Sequence, residues 1–220
     1  PQIFQKEPLK IALNKMIKEN VSLTDESQAM ERAGFRVKEI LGERSNLKIT
    51  YSDDLYLNLD NDYRIGRGVD FHNFEPGQGI TLGNIFIDCD LSIVAHSDGD
   101  IVLHAISDAL LGAGGLRDIG YYFPDSDIKN KDLSSVKILE ESLNLLKQKD
   151  LQPRNIDFVV VCEQPKIQPH VEALKASLSK ILNIDEGFVG VKATTTEGMG
   201  VIGEGNGIAV FAIASLEKIQ

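Results

Sequence analysis

The sequence from residue 64 to residue 72 reads Arg64-Ile65-Gly66-Arg67-Gly68-Val69-Asp70-Phe71-His72. We interpret residues 63–72 as a strand, in which successive side chains point to opposite faces. Asp70 and His72 are two positions apart, so they lie on the same face. A carboxylate beside an imidazole is half of a zinc site. Such a pair on a strand is also common as a simple hydrogen-bonded or solvated pair, so the strand alone does not decide between the two.

A helix that follows carries a second set of polar residues. Asp100, His104 and Asp108 recur every four residues and form one polar stripe on an otherwise apolar helix. If this stripe faces the strand, Asp70, His72 and His104 supply three ligands to a metal ion. A fourth position then stays open, which is typical of a catalytic rather than a structural zinc site.

The remaining elements beyond residue 62 predict the order β-β-α-α-β-α-β-β. This order indicates an α+β fold in which a mixed or antiparallel sheet has helices on one face. The predicted elements after the first strand are one or two strands over 79–88 joined through Gly83-Asn84, a helix from Ser97 or Asp98 to Ala113, a loop over 121–132, a helix over 134–149, a buried strand over 156–162, a helix from Pro169 to Asn183, and strands over 188–194 and 207–215.

The first 61 residues have a different pattern. Apolar residues at helical spacing predict a helix over 7–20, and Thr24-Asp25-Glu26 predicts the cap of a second helix that runs to Phe35. Short apolar runs over 37–41 and 47–50 predict strands. The acidic segment 51–62 shows no periodicity and is interpreted as a linker, so we divide the chain into residues 1–61 and 62–220.

Two further segments suit phosphate groups. Residues 95–100 place a histidine, a serine and two aspartates at a helix N-terminus, where free N–H groups bind anions. Plain N-capping explains Ser97 or Asp98 but not the whole group. Residues 191–198 end a strand in three threonines and Glu197, a pattern that suits a phosphate and a hard cation such as Mg²⁺. The acidic loops over 115–120 and 123–127 suit sugar hydroxyls or a lid, and an ordinary loop explains them equally well.

Composition excludes several classes of protein. The net charge is −10, and residues 62–220 hold 14 basic against 23 acidic residues, which argues against a nucleic-acid surface. No apolar run approaches the roughly 20 residues that a membrane span requires. Two isolated cysteines indicate no disulfide framework and fit a reducing cytoplasm. Because residues 1–4 have neither an initiator Met nor a signal-peptide pattern, we expect residue 1 to be a cut or an internal start.

Taken together, the motifs closely resemble the 2-C-methyl-D-erythritol 2,4-cyclodiphosphate synthase family over residues 63–217. The motifs are Arg64-x-Gly66-x-Gly68-x-Asp70-x-His72, Ala95-His96-Ser97-Asp98-Gly99-Asp100, Asp118-Ile119-Gly120, Phe123-Pro124-Asp125-Ser126-Asp127 and Lys192-Ala193-Thr194-Thr195-Thr196-Glu197. The resemblance implies a homotrimer with active sites between neighbouring subunits. It also implies an enzyme of the non-mevalonate isoprenoid pathway that binds a cytidine nucleotide, with no nucleic-acid or membrane partner.

The resemblance implies a role for each matched residue. Asp70, His72 and His104 would hold Zn²⁺, and Glu197 would hold Mg²⁺ or Mn²⁺ on the substrate diphosphate. His96 and Thr195 match the residues that stabilise the transition state. Substrate binding is expected of Asp70, His72, Ser97, Asp108, Asp118, Gly120, Phe123, Asp125, Asp127, Thr194, Thr196 and Glu197, and residues 162–168, including Cys162 and Lys166, match the cytosine pocket. From its residues alone, Gln164-Pro165-Lys166 is a plain turn.

The implied reaction converts 4-diphosphocytidyl-2-C-methyl-D-erythritol 2-phosphate to 2-C-methyl-D-erythritol 2,4-cyclodiphosphate and releases CMP. The 2-phosphate attacks the β-phosphate, so two anions must approach each other, and cations offset that repulsion. Two alternatives remain open: a zinc phosphodiesterase that hydrolyses a nucleotide diphosphate, and a non-catalytic nucleotide or metal sensor.

Residues 1–60 resemble the C-terminal end of the methylerythritol phosphate cytidylyltransferase family, in which Lys48 would match a phosphate-binding lysine. The nucleotide-binding loop expected at the start of such a domain is absent from these residues, so cytidylyl transfer is expected only of a longer, bifunctional chain. One departure from the synthase pattern lies at Val201, Glu204 and Asn206, where many relatives carry an aromatic residue, an Arg and a Glu around a cavity on the trimer axis. Glu204 would repel an isoprenoid diphosphate there.

Overall fold

A computed structural model describes residues 2–41, 64–95, 98–124 and 133–219. The chain divides into two compact units, Pro1–Asp60 and Asn61–Gln220. None of the described helices combines the length and the apolar character that crossing a bilayer requires.

The first unit contains two helices, α1 (Lys6–Lys18) and α2 (Glu26–Arg32). Asp25 caps α2 by accepting a hydrogen bond from the Gln28 N–H at 2.9 Å, as the sequence predicted for this cap. The buried contact between α1 and α2 is made by small and flexible side chains, namely Ala12, Met16, Ala29 and Met30. The strand predicted over 37–41 is wrong, because these residues are irregular and Ile40 and Leu41 are exposed with no neighbouring strand among the described residues. The strand predicted over 47–50 lies outside the described residues.

The second unit contains seven strands and five α-helices among its described residues. The strands are β1 (Arg64–Pro76), β2 (Ile80–Leu82), β3 (Ile85–Ile87), β4 (Leu91–Ile93), β5 (Leu151–Val161), β6 (Val189–Thr194) and β7 (Gly207–Lys218). The helices are α3 (Ile101–Ala113), α4 (Ile119–Tyr122), α5 (Ser135–Lys147), α6 (Val171–Leu182) and α7 (Gly200–Gly203). Short 3₁₀ turns at Gln168–His170 and Glu186–Phe188 precede α6 and β6.

The main sheet has the strand order β4-β1-β7-β5-β6. All neighbouring strands are antiparallel except β5 and β6, so the sheet is mixed. Strands β2 and β3 form a separate hairpin, whose turn at Gly83-Asn84 was predicted. The α+β prediction is therefore confirmed.

The element boundaries differ from the prediction at several places. Helix α3 begins at Ile101 with Asp100 as its cap, not at Ser97 or Asp98. The predicted loop over 121–132 begins inside the one-turn helix α4, and its residues 125–132 lie outside the described part. The three-residue strand β4 and the one-turn helix α7 were missed, because segments this short have too few residues to show a period.

Two glycines bring α3 unusually close to β1. A Cβ atom at Gly66 or Gly68 would overlap the backbone carbonyl oxygens of Ala109 or Ala105 on α3. The bare backbone at these positions lets the helix pack directly on the strand. This close packing lays the face of α3 that carries His104 over the part of β1 that carries Asp70.

The helices pack on one face of the sheet: α3 contacts β1 and β7, α5 contacts β5, and α6 contacts β6. The core between these layers consists mainly of apolar side chains and includes Phe158, Leu103 and Ile156. The opposite face of the sheet carries large apolar side chains that are exposed in the single chain. They are Ile65, Val69, Phe71, Phe211 and Ile213.

Candidate metal centre

Asp70 and His72 on β1 and His104 on α3 meet at the edge of the helix-covered face. Asp70 Oδ2 lies 3.2 Å from His104 Nδ1 and 3.4 Å from His72 Nε2. One ligand atom from each of the three residues lies within 4.8 Å of the others. Their side chains are partly buried, with exposed fractions of 25%, 21% and 11% for Asp70, His72 and His104. The strand and helix periods that the sequence displays therefore place the three predicted ligands together.

The electrostatics of the cluster favour cation binding. Burial of Asp70 opposes its ionisation, but hydrogen bonds and charge attraction from His104 and His72 hold the pKa of this carboxyl well below its usual value. The hydrogen bond to Asp70 raises the pKa of the His72 imidazole, against the opposing effect of burial. An ionised carboxylate and two imidazole nitrogens form a donor set that suits Zn²⁺.

Each imidazole has a hydrogen-bond partner on the side away from Asp70. His72 Nδ1 lies 2.9 Å from the carbonyl oxygen of Val94, to which it donates. His104 Nε2 lies 2.9 Å from the hydroxyl of Ser135. Partners of this kind fix the orientation of metal-binding histidines.

The two other members of the polar stripe on α3 have different surroundings. Asp100 is buried, and its carboxylate accepts hydrogen bonds from the backbone N–H groups of Gly83, Asn84 and Leu103 at 2.7–3.2 Å. Asp100 therefore caps α3 and holds the β2–β3 hairpin, and it is directed away from the cluster. Asp108 accepts from the Ile119 N–H at 2.8 Å, and burial raises the pKa of its carboxyl.

A second group of predicted residues surrounds the carboxyl ends of the parallel strands β5 and β6. The Cys162 N–H donates to the Thr194 carbonyl at 3.1 Å, and the Thr196 N–H donates to the Glu163 carboxylate at 3.1 Å. Thr195 donates its hydroxyl proton to the Glu197 carboxylate at 2.7 Å. We call residues 162–166 and 194–197 the threonine cluster.

The side chains of the threonine cluster differ in exposure: Cys162 is buried, whereas Lys166 and Glu197 are exposed. Burial raises the pKa of the Cys162 thiol to about 11, so this thiol stays protonated at neutral pH. Lys166 donates to the Glu163 carbonyl at 3.1 Å. Glu197 adopts the left-handed backbone conformation, with φ of 54°, which turns the chain sharply before Gly198.

The remaining predicted residues follow α3. Asp118 caps α4 by accepting from the Tyr121 N–H at 3.0 Å. Gly120 lies within α4, and Phe123 ends it. The predicted residues His96, Ser97, Asp125 and Asp127 lie outside the described part of the chain.

The group formed by Asp70, His72 and His104, which we call the metal-binding cluster, lies far from the threonine cluster in one chain. Strands β7 and β5 lie between β1 and β6. Asp70 on β1 pairs with Val210 on β7, Val210 pairs with Val160 on β5, and Val160 pairs with Ala193 on β6. Asp70 and Ala193 are therefore separated by three strand spacings, roughly 14 Å.

The second unit of the chain is similar to the proteins of one known family. A model of the YgbB family matches residues 63–217. The chain belongs to the YgbB family. A YgbB relative, the 2-C-methyl-D-erythritol 2,4-cyclodiphosphate synthase of Leptospira borgpetersenii, is 48% identical over 158 residues, which cover 71% of this chain and 98% of that protein. The resemblance stated from the motifs is therefore confirmed.

Residues 1–59 match the model of 2-C-methyl-D-erythritol 4-phosphate cytidylyltransferase, which confirms the resemblance of this part of the chain to that family. The bifunctional enzyme IspD/IspF of Campylobacter concisus is 40% identical over 210 residues, covering 93% of this chain and 56% of that enzyme. The chain thus spans a little over half the length of the bifunctional YgbB relatives that it matches.

Solved structures of YgbB relatives have the same fold. IspF of Plasmodium falciparum in complex with CDP has a TM-score of 0.64 and 36% identity, with 73% of this chain and 99% of that chain covered. The bifunctional IspDF of Campylobacter jejuni has a TM-score of 0.69 and 34% identity, with 95% of this chain and 57% of that chain covered.

Proposed function

We propose that residues 62–220 form a metal-dependent 2-C-methyl-D-erythritol 2,4-cyclodiphosphate synthase. The domain cyclises 4-diphosphocytidyl-2-C-methyl-D-erythritol 2-phosphate and releases CMP. The observation that carries this proposal is the convergence of Asp70, His72 and His104 in a domain that is 48% identical to a synthase of that name.

The three ligands of the metal-binding cluster would hold Zn²⁺, and Glu197 would hold Mg²⁺ or Mn²⁺. Bound there, the two cations would polarise phosphoryl oxygens and offset the repulsion between the reacting phosphates. The donor set supports this assignment, since zinc binds carboxylate and imidazole whereas the harder cations prefer oxygen alone.

The protein's own contribution is alignment. Little covalent chemistry falls to side chains in phosphoryl transfer, so holding both ends of one flexible substrate in place accounts for much of the rate. We assign transition-state stabilisation to His96 and Thr195. The hydroxyl of Thr195 lies beside the Glu197 carboxylate, which places a hydrogen-bond donor next to the proposed second cation.

Substrate binding is assigned to residues of both clusters and of the segment after α3. Cytosine would bind to backbone groups of residues 162–168, including Cys162 and Lys166, because the Cys162 thiol itself is buried and protonated. A relative has been solved with CDP, which supports a cytidine nucleotide as ligand. The other assigned residues are Asp70, His72, Ser97, Asp108, Asp118, Gly120, Phe123, Asp125, Asp127, Thr194, Thr196 and Glu197.

We further propose a homotrimer with active sites between subunits. Within one chain, the metal-binding cluster and the threonine cluster are roughly 14 Å apart across the sheet. The exposed apolar face of the sheet offers a surface that a second copy would cover. Packing of these faces around a threefold axis would bring the threonine cluster of one subunit to the metal-binding cluster of the next.

Phosphorus NMR of the protein with substrate and Mg²⁺ tests the proposed reaction. A cyclic diphosphate together with CMP is the expected result. Open-chain hydrolysis products would instead indicate the zinc phosphodiesterase, and unchanged substrate would indicate a sensor.

A second activity is proposed for a longer chain. Residues 1–61 would be the end of a cytidylyltransferase domain joined by a linker to the synthase, as the match over residues 1–59 and the bifunctional relatives suggest. The test is a cytidylyl-transfer assay on the product of the complete reading frame.

We assign the enzyme to the cytoplasm, because its two cysteines are free thiols.

A further inference from the structure

Ser135, the first residue of α5, connects His104 to Asp98. The Ser135 hydroxyl lies 2.9 Å from His104 Nε2 and also contacts Asp98 Oδ1. The Ser135 N–H donates to Asp98 Oδ2 at 2.9 Å. Ser135 is fully buried, whereas Asp98 is exposed, so one carboxylate at the surface holds both polar groups of a buried serine.

The donors and acceptors of this chain of contacts allow one arrangement. A carboxylate only accepts hydrogen bonds, so the single hydroxyl proton of Ser135 is directed to Asp98. The Ser135 oxygen can then only accept from His104. It follows that His104 Nε2 donates to Ser135, and that Nδ1, which lies 3.2 Å from the Asp70 carboxylate, is the nitrogen that faces the other two ligands. A metal ion bound at Nδ1 would take the place of the hydrogen bond between Nδ1 and Asp70.

We infer that Ser135 and Asp98 are positioning residues that fix the tautomer and the ring orientation of His104 for metal binding at Nδ1. This inference rests on the proposed metal centre. It extends the Asp70–His72–His104 cluster by two residues from outside β1 and α3. Partners of metal-binding histidines typically change metal affinity by about 10–100-fold when they are removed.

A simpler role is capping of α5. Ser134, the N-cap residue of α5, makes no side-chain hydrogen bond to the helix, and Asp98 takes its place by accepting the Ser135 N–H. Capping alone would make Ser135 and Asp98 matter for stability but not for metal affinity. The two roles therefore differ in a measurable quantity.

The test measures Zn²⁺ affinity of the full chain by competition with a chelator. We expect Ser135→Ala to weaken zinc binding about 10–100-fold, and Asp98→Asn to weaken it in the same direction. Ser134→Ala is the matched control and should bind zinc like the unmodified protein. Ser135→Thr keeps the hydroxyl and should restore most of the affinity.

A second measurement needs no variant. Nitrogen-15 NMR of the zinc-loaded protein distinguishes the protonated nitrogen of His104 from the nitrogen that binds zinc, and we expect the proton on Nε2. A proton on Nδ1, or unchanged zinc affinity in Ser135→Ala, would overturn the inference and leave Ser135 as part of a helix cap. If His104→Ala also binds zinc normally, the metal centre itself is wrong; if only Ser135→Ala does, the metal centre stands without this support.

Discussion

His104 and Asp70 are 34 positions apart in the chain, yet His104 Nδ1 lies 3.2 Å from Asp70 Oδ2. The contact exists because α3 packs on the backbone of β1 at Gly66 and Gly68. An acid on a strand and an imidazole on a helix thus form one cluster whose geometry depends on the backbone as much as on the ligands.

His72→Ala and His104→Ala should each abolish cyclisation and lower the bound zinc. Either change removes one of three ligands and leaves the Asp70 carboxylate with one histidine neighbour. Zinc content by mass spectrometry and product formation by phosphorus NMR are the measurements. His170→Ala, at the start of α6, is the control and should retain both. Full turnover without zinc in either ligand variant contradicts the assignment.

Gly68→Ala should destabilise the domain by about 1–3 kcal/mol, as overpacking does. The added Cβ meets the Ala105 carbonyl, so α3 must move away from β1, and zinc affinity should fall with it. Gly112→Ala, on the α3 side of the same contact, is the control, because the nearest atoms to its added Cβ lie 4.0 Å away. Urea unfolding should find the control unchanged or more stable by about 1 kcal/mol at most. Equal stability of both variants would refute the close-packing argument.

Asp100 should make the stability of the domain fall as pH rises from about 4 to about 6. Burial raises the pKa of its carboxyl to about 6, against the opposing hydrogen bonds from Asn84, Gly83 and Leu103. The folded state therefore holds a proton that the unfolded chain has already lost, and its contribution to stability is present below the unfolded pKa and is lost as pH rises through the folded pKa.

Asp100→Asn has no proton to lose, so the difference in unfolding free energy between the two proteins reports Asp100 alone. Relative to Asp100→Asn, the unmodified protein should lose up to about 3 kcal/mol of unfolding free energy between pH 4 and pH 7, from 1.36 kcal/mol per pKa unit. Denaturant unfolding at four pH values measures it. A shift in the opposite direction would mean that the three N–H bonds outweigh burial.

Mixed oligomers test whether active sites lie between subunits. His104→Ala lacks one ligand of the metal-binding cluster and Glu197→Ala lacks the proposed ligand of the second cation, so each alone should be inactive. Co-expression of the two should restore about a quarter of the activity, because one site in four combines an intact cluster from each neighbour when subunits mix at random. Co-expression of His104→Ala with His72→Ala is the control and should stay inactive. Failure of the first pair to recover would place the whole site within one chain.

The convergence of the three proposed metal ligands could be predicted from sequence because both periods involved are local. A two-residue period aligns Asp70 with His72, and a four-residue period identifies the face of α3 that carries His104. The same helical period also predicted Asp100 as part of the stripe, and there it misled. Asp100 precedes the first helical residue, so its direction is set by the cap and by the hairpin that it holds.

Other features depend on contacts between distant segments, which no local period reveals. The run over 37–41 has the composition of a strand but no partner strand among the described residues. Ser135 shows no signal, since a serine at a helix start is expected as a cap whether or not it contacts His104. Asp98 carried the only hint of this contact, because capping of one helix does not require every acid in residues 95–100.

Because the strand order of the sheet separates the two clusters within one chain, the activity of the protein should depend on its own concentration. If each catalytic centre takes its metal from one copy and its nucleotide pocket from the next, a solitary chain has no working centre at all. Specific activity would then decline once the protein is diluted below the dissociation constant of the oligomer, because single chains would contain no complete site.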